Sequence, residues 1–248
     1  MPVMDEFKEE RAAMRHGTPK QKLTYFFDYY KWHVVSGAII LIFAGALIYQ
    51  IATHKDIAFY AVLLNAAAYG HPEQAESTAG FAEYTGTDTE KYDIIYDASV
   101  QLGTDGATDY QAAQKLMVQI TAADLDVIVS DGDSLLEYAY MGDFYDLRNF
   151  LTAEQTEAYK NSFYYVDGAV MEEIESAKKA YDYEYVPVYS DPRHPEDMQD
   201  PIPVGIFLKE DCPLLQEYVF LDNPPAVSVL INTKRPEMAS SFIDFLMQ

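Results

Sequence analysis

The chain has 248 residues, enough for one or two domains with a sizeable core. Its 17 Lys and Arg stand against 40 Asp and Glu, a net charge of −23, so no broad basic surface exists to neutralise the phosphates of a nucleic acid. A single cysteine, Cys212, excludes an internal disulfide framework and a multi-cysteine metal site.

Residues 1–33 read as a short N-terminal tail, 34–52 as a transmembrane helix and 53–248 as an α/β domain. In the tail, Asp5 to Arg15 has helical character, ended by Gly17 and Pro19, but is too short for a core of its own. Val34 to Ala52 carries no charged residue, and as a helix it reaches about 28 Å, close to the hydrocarbon thickness of a bilayer. Tyr25, Phe26, Phe27, Tyr29, Tyr30 and Trp32 precede it and suit an interfacial aromatic belt. Arg11, Arg15, Lys20, Lys22 and Lys31 lie on the same side, which by the positive-inside rule keeps the N-terminus in the cytoplasm and exports residues 53–248. The run is longer than a typical signal-peptide core, so an uncleaved signal anchor is preferred to a cleaved leader. Membrane lipid around 34–52 is the expected partner, and nucleic acid is not.

The remainder alternates strand and helix patterns. Ile57 to Asn65 is a near-continuous apolar run, expected of a buried central strand. A helix from Pro72, with Ala75, Ala79, Phe81 and Ala82 on its apolar side, ends at Gly86. Tyr92 to Tyr96 is a second strand. Thr108 to Gln111 has the form of a capping box, opening a helix expected to bury Tyr110, Ala113, Leu116, Met117 and Ile120. Leu125 to Val129 is a third strand, and Ser130 to Asp133 turns into a helix with Leu135, Leu136, Tyr138 and Tyr140.

Thr152 to Gln155 forms another capping box. Val170, Ile174, Ala177 and Tyr181 recur at helical spacing, with Glu175 and Lys179 as an i,i+4 pair. Between Asp182 and Pro201, prolines among acids predict a loop, with room for an edge strand at Tyr185 to Tyr189. Ile202 to Leu208 and Ala226 to Ile231 are two further strands, and a helix from Pro236 buries Met238, Phe242, Phe245 and Leu246. The pattern predicts an α/β fold, a mostly parallel sheet flanked by helices, preceded by one transmembrane helix.

Residues 81–86 (FAEYTG), 126–131 (DVIVSD) with 142–151 (GDFYDLRNFL), and 226–233 followed by 236–246, resemble one lobe of extracellular solute-binding proteins, the type II periplasmic-binding fold. The resemblance implies binding of a solute rather than catalysis. Complete members of that family carry two lobes and usually a lipid-modified cysteine; the exported part of this chain has room for one lobe.

The chain lacks GxGxxG, Walker A, HExxH and GxSxG patterns, so no enzyme activity and no cofactor is expected. Asp131-Gly-Asp133 starts like a calcium loop, but its twelfth position is Gly142 rather than Glu. The acids there suit turn and cap duty, and no metal site is expected. Cys212 precedes a helix start, where the dipole could lower its pKa; the other reading is a small buried or capping residue. His194 in the acidic loop reads as solvated rather than metal-ligating.

In parallel sheets, ligands bind beyond the carboxyl ends of strands. That places candidate ligand-binding residues at Asn65 and Tyr69, at Ser130, Asp131 and Asp133, and at Asn232 and Lys234. Tyr138, Tyr140, Tyr164 and Tyr165 could also line a groove for a sugar or peptide, or serve as packing residues. Three functions stay open. The first is a membrane-anchored extracytoplasmic domain that recognises a solute or partner protein. The second is a module that binds no ligand and serves a membrane assembly, beside a partner such as a transporter permease. The third is a hydrolase with an unrecognised site.

Overall fold

The computed structural model describes residues 18–69, 76–102, 110–220 and 224–248. The helical tail at 5–15, Pro72 and Ala75, and the capping residue Thr108 lie outside the described residues, as do the side chains of Tyr25, Phe27, Tyr29 and Tyr30. The chain divides into two compact units, Met1–His54 and Lys55–Gln248.

The first unit contains one long helix, α1 (Pro19–Thr53). Within it, Lys31–Ile51 is 21 residues with a mean hydropathy of 2.2 and none of it buried. It is long and apolar enough to cross a bilayer. Leu41, Ile42, Phe43 and Ile48 are all exposed, unlike the apolar side chains of a soluble core helix.

In the second unit the elements run β1 (Asp56–Leu64), β2 (Ala67–Ala68), α2 (Glu76–Thr85), β3 (Tyr92–Asp97), α3 (Tyr110–Thr121), β4 (Val127–Asp131) and α4 (Gly132–Ala139). Then follow α5 (Leu147–Phe150), α6 (Ala153–Tyr159), β5 (Phe163–Asp167), α7 (Gly168–Ala180), β6 (Pro201–Phe207), β7 (Tyr218–Val219), β8 (Pro225–Val229) and α8 (Pro236–Leu246). Six strands form one sheet in the order β3-β1-β4-β8-β6-β5, and β2 pairs with β7.

The sheet is mixed, which corrects the expectation of a mostly parallel one. β3, β1 and β4 are parallel, whereas β8, β6 and β5 join through antiparallel ladders. Apolar patterning identifies a buried strand but does not carry its direction. Among the described residues between β6 and β8 the chain forms a 3-10 turn (Pro213–Gln216) and β7 and no crossover helix, as antiparallel neighbours permit. Strand β5 was not apparent in the sequence. Pro203 lies inside the central strand β6, where a proline removes a ladder donor. The β5–β6 register shifts between Tyr164 and Tyr165, and the Tyr165 N–H turns to the Pro192 carbonyl at 3.0 Å.

Each face of the sheet has its own core. On one face Phe59 of β1, Phe81 of α2 and Phe242 of α8 meet with ring centroids 4.7 to 5.1 Å apart. On the other, Val62, Leu64 and Ile128 pack with Leu116 of α3, Leu135 of α4 and Tyr164 of β5. Burying such side chains contributes about 2 kcal/mol each. Within α3, Leu116 and Ile120 are buried, but Tyr110 and Met117 are exposed, contrary to the expected apolar face. The capping box at Thr152 forms in full, with Gln155 N donating to Thr152 Oγ1 at 3.2 Å and Thr152 N to Gln155 Oε1 at 2.9 Å.

Candidate functional site

The residues singled out by strand-end reasoning fall into two groups at opposite edges of the sheet. Because β8 is antiparallel, Pro225 pairs with Asp131 at one edge and Val229 with Val127 toward the other. Asn65, Ser130, Asp131 and Asp133 therefore lie at the edge where β1 and β4 end. Asn232 and Lys234, which follow β8, lie at the edge where those strands begin.

Around the start of α4 the polar groups mainly serve each other. Asn65 sits at φ 56, is buried, and uses both ends of its amide: Nδ2 donates to Ser134 Oγ at 2.8 Å, and Oδ1 accepts from Leu102 N at 2.6 Å. Asp131 caps α4, its Oδ1 accepting from Ser134 N at 2.8 Å. Its Oδ2 and the Ser130 hydroxyl are buried without a partner, and neither residue lines either of the two hollows described below. Asp133 is exposed. At the other edge, Asn232 Nδ2 donates to Ile120 O at 2.5 Å and Lys234 Nζ to Ala122 O at 3.1 Å, tying the loop to the end of α3.

Tyr69 is exposed and borders a hollow of about 530 Å³ with Leu208, Tyr218, Phe220 and Pro225.

A second cleft, of about 430 Å³, opens between the end of α4, the side of α7 that carries Ile174, Ala177 and Lys178, and the segment after α7. Its aromatic lining is Tyr140, Tyr181, Tyr183, Tyr185 and Tyr189, joined by Met141, Ile174, Ala177 and Pro187. Lys178 and Asp182 are its charged members. Tyr140 is fixed: its hydroxyl accepts from Asp167 N at 3.0 Å, and its ring stacks on Tyr189 with centroids 4.6 Å apart. Burial raises its pKa, against the pull of backbone N–H groups from Asp167 and Ser190. The Tyr185 hydroxyl donates to Glu173 Oε2 at 2.9 Å. Desolvation and that carboxylate both raise its pKa.

Tyr181 ends α7 in the left-handed region, at φ 55, where glycine or asparagine is the usual occupant. Tyr181 and Tyr183 remain 75% and 89% exposed. Of the tyrosines first considered for a groove, only Tyr140 contributes to this cleft; Tyr138 and Tyr164 are buried, and Tyr164 donates to Gly132 O at 2.8 Å inside the core. The sequence signal was the spacing 181, 183, 185, 189. The segment is not the edge strand it resembled. Tyr185 and Pro187 face inward while Val186 and Val188 are 79% and 82% exposed, and the backbone of those two valines bonds to no other described backbone.

Cys212 is buried at the start of a short 3-10 turn, as its reading as a small buried or capping residue has it, and burial raises its thiol pKa. His194 pairs with Glu196 at 2.9 Å in the open. Among the described residues no group of His, Cys, Asp and Glu has metal-ligating geometry. No family model, no curated protein and no solved structure matches the chain.

Proposed function

We propose that the chain is a single-pass membrane protein whose extracytoplasmic α/β domain binds a ligand in the tyrosine-lined cleft. The observation that carries this reading is the cleft itself. Five tyrosines surround about 430 Å³, a volume in the range of small-molecule sites, and two of them stay largely in solvent. Exposed rings supply stacking area at low entropic cost. Helix α1 is the anchor, and the basic residues N-terminal to its uncharged stretch 34–52 set the N-terminus in the cytoplasm. The likeness of 81–86, 126–131 and 226–246 to a solute-binding lobe supports binding rather than catalysis.

A thermal-shift screen of the full-length protein in detergent, against peptides, sugars, amino acids and quaternary amines, tests this reading. A ligand that raises the melting temperature in wild type, but not in Tyr183→Ala, supports the cleft. A shift retained in that variant places binding elsewhere.

A second reading, an interaction module of a membrane assembly, draws on one observation. Val186 and Val188 offer an exposed apolar stripe with open backbone groups. A transporter permease is a partner of that kind, and co-purification that is lost in Val186→Asp separates the two readings.

A further inference from the structure

The charge around the cleft narrows its ligand. The stretch 168–200, which supplies most of the lining, holds nine acidic side chains against three basic ones, while the lining itself carries one of each sign. Of those three, Lys179 is paired with Glu175 at 2.7 Å, and Arg193 lies over the Phe207 ring at 4.8 Å. Lys178 is the one cation in the lining, and Asp182 lines the cleft with it. The Asp143 carboxyl also lies within the field of Lys178.

The rings add to this. A tyrosine face carries negative potential, and a phenol that donates to a carboxylate, as Tyr185 does to Glu173, is the more electron-rich for it. An anion would meet both the acidic surround and the ring faces. A strongly hydrated ammonium would lose its water on an apolar lining of Met141, Ile174, Ala177 and Pro187. A cation whose charge is spread over methyl groups loses little, and it satisfies rings and acids together.

Resting on the reading of the cleft as the binding site, we infer that its ligand is a small quaternary ammonium compound, held by cation–π contact with the exposed tyrosines and by the surrounding acidic field. The positive centre sits against the rings of Tyr181, Tyr183 and Tyr185, which replace its weak hydration. The stacked pair of Tyr140 and Tyr189 forms a fixed wall.

Titration calorimetry of the full-length protein in detergent tests this with choline chloride and its neutral isostere, 3,3-dimethylbutan-1-ol. Choline is expected to bind at least about tenfold more tightly than the isostere. Tyr183→Ala is expected to weaken choline about tenfold, while Tyr183→Phe, which keeps the ring and loses only the hydroxyl, retains it. Both substitutions fall on a residue 89% exposed, so folding is preserved. Equal affinity for the two probes, no choline binding up to 20 mM, or preference for Nα-acetylarginine methylamide would each overturn the inference. If a neutral sugar or peptide binds instead and Tyr183→Ala abolishes it, the cleft remains the binding site and only its cation selectivity fails.

Discussion

Arg235 Nε lies 2.8 Å from Asp126 Oδ2 and 3.0 Å from Oδ1, and it closes the base of the sheet. Asp126 is fully buried at the start of β4. Its carboxylate also accepts from Tyr60 N at 2.8 Å and from the Thr233 hydroxyl. The same guanidinium donates to Ile57 O at 3.1 Å and Asp124 O at 2.7 Å. One arginine thus joins β1, the approach to β4 and the start of α8.

Arg235→Ala leaves a buried carboxylate without its cation, which costs roughly 3–5 kcal/mol. A melting temperature lower by about 6 °C or more in calorimetry is the expected outcome. Arg235→Lys recovers part of it, because an ammonium cannot reproduce the fork that reaches two carbonyls as well. A change within 1 °C for Arg235→Ala would show that the pair contributes little.

Gly205 and Ser228 form a second coupled pair. A Cβ on Gly205 would come 2.5 Å from Ser228 Oγ and 3.0 Å from Val227 O. Gly205→Ala is therefore expected to destabilise by about 1–3 kcal/mol in urea unfolding. Ser228 Oγ has no hydrogen-bond partner, so Ser228→Ala alone is close to neutral. The double variant recovers part of the loss. Strict additivity in the cycle would contradict the contact.

Asp97 at the end of β3 gives a pH signature. Burial pushes its carboxyl up, but hydrogen bonds from Ser99, Lys115 and Tyr60 outweigh this and bring it down to about 2. Lys115 Nζ is 2.9 Å away and Tyr60 Oη 3.0 Å. A carboxyl lowered on folding stabilises above its unfolded pKa, near 4, and loses that contribution as pH falls toward 2. Asp97→Asn is expected to lower stability at pH 7 and to flatten the acid limb between pH 4 and 2. An unchanged acid limb in this variant would contradict the shift.

Tyr181 combines a left-handed backbone with a place in the proposed binding cleft. A non-glycine residue in the left-handed region costs about 1 kcal/mol. Tyr181→Gly is therefore expected to raise stability by up to about 1 kcal/mol while weakening cleft binding, read by denaturation and by ligand titration of one preparation. A loss of stability would show that the tyrosine is kept for packing.

The sequence exposed most of the helices and strands because burial leaves a periodic apolar trace: Phe59 to Leu64, Val127 to Val129 and Ala226 to Val229 were all legible. Strand direction leaves no such trace: a mostly parallel sheet would group Asn232 and Lys234 with Asn65 and Ser130, whereas the antiparallel β8 places them at the far edge. Strand β5 escaped because Phe163 to Asp167 runs straight from the 3-10 turn Lys160–Ser162 into α7 at Gly168, with no loop on either side to mark it. The cleft was only partly legible. Tyr140 stands out by its aromaticity beside Tyr138, but the remaining tyrosines follow α7 in a segment whose shape depends on packing beyond sequence spacing.

The central claim is an exported domain with an open tyrosine cleft, and one labelling measurement reaches both parts of it. Tyr183→Cys places a thiol at the most exposed position of the cleft, while the native Cys212 is buried. A membrane-impermeant maleimide applied to intact cells is expected to label this variant, and a saturating cleft ligand is expected to slow the labelling. Labelling only after the membrane is permeabilised would contradict the account.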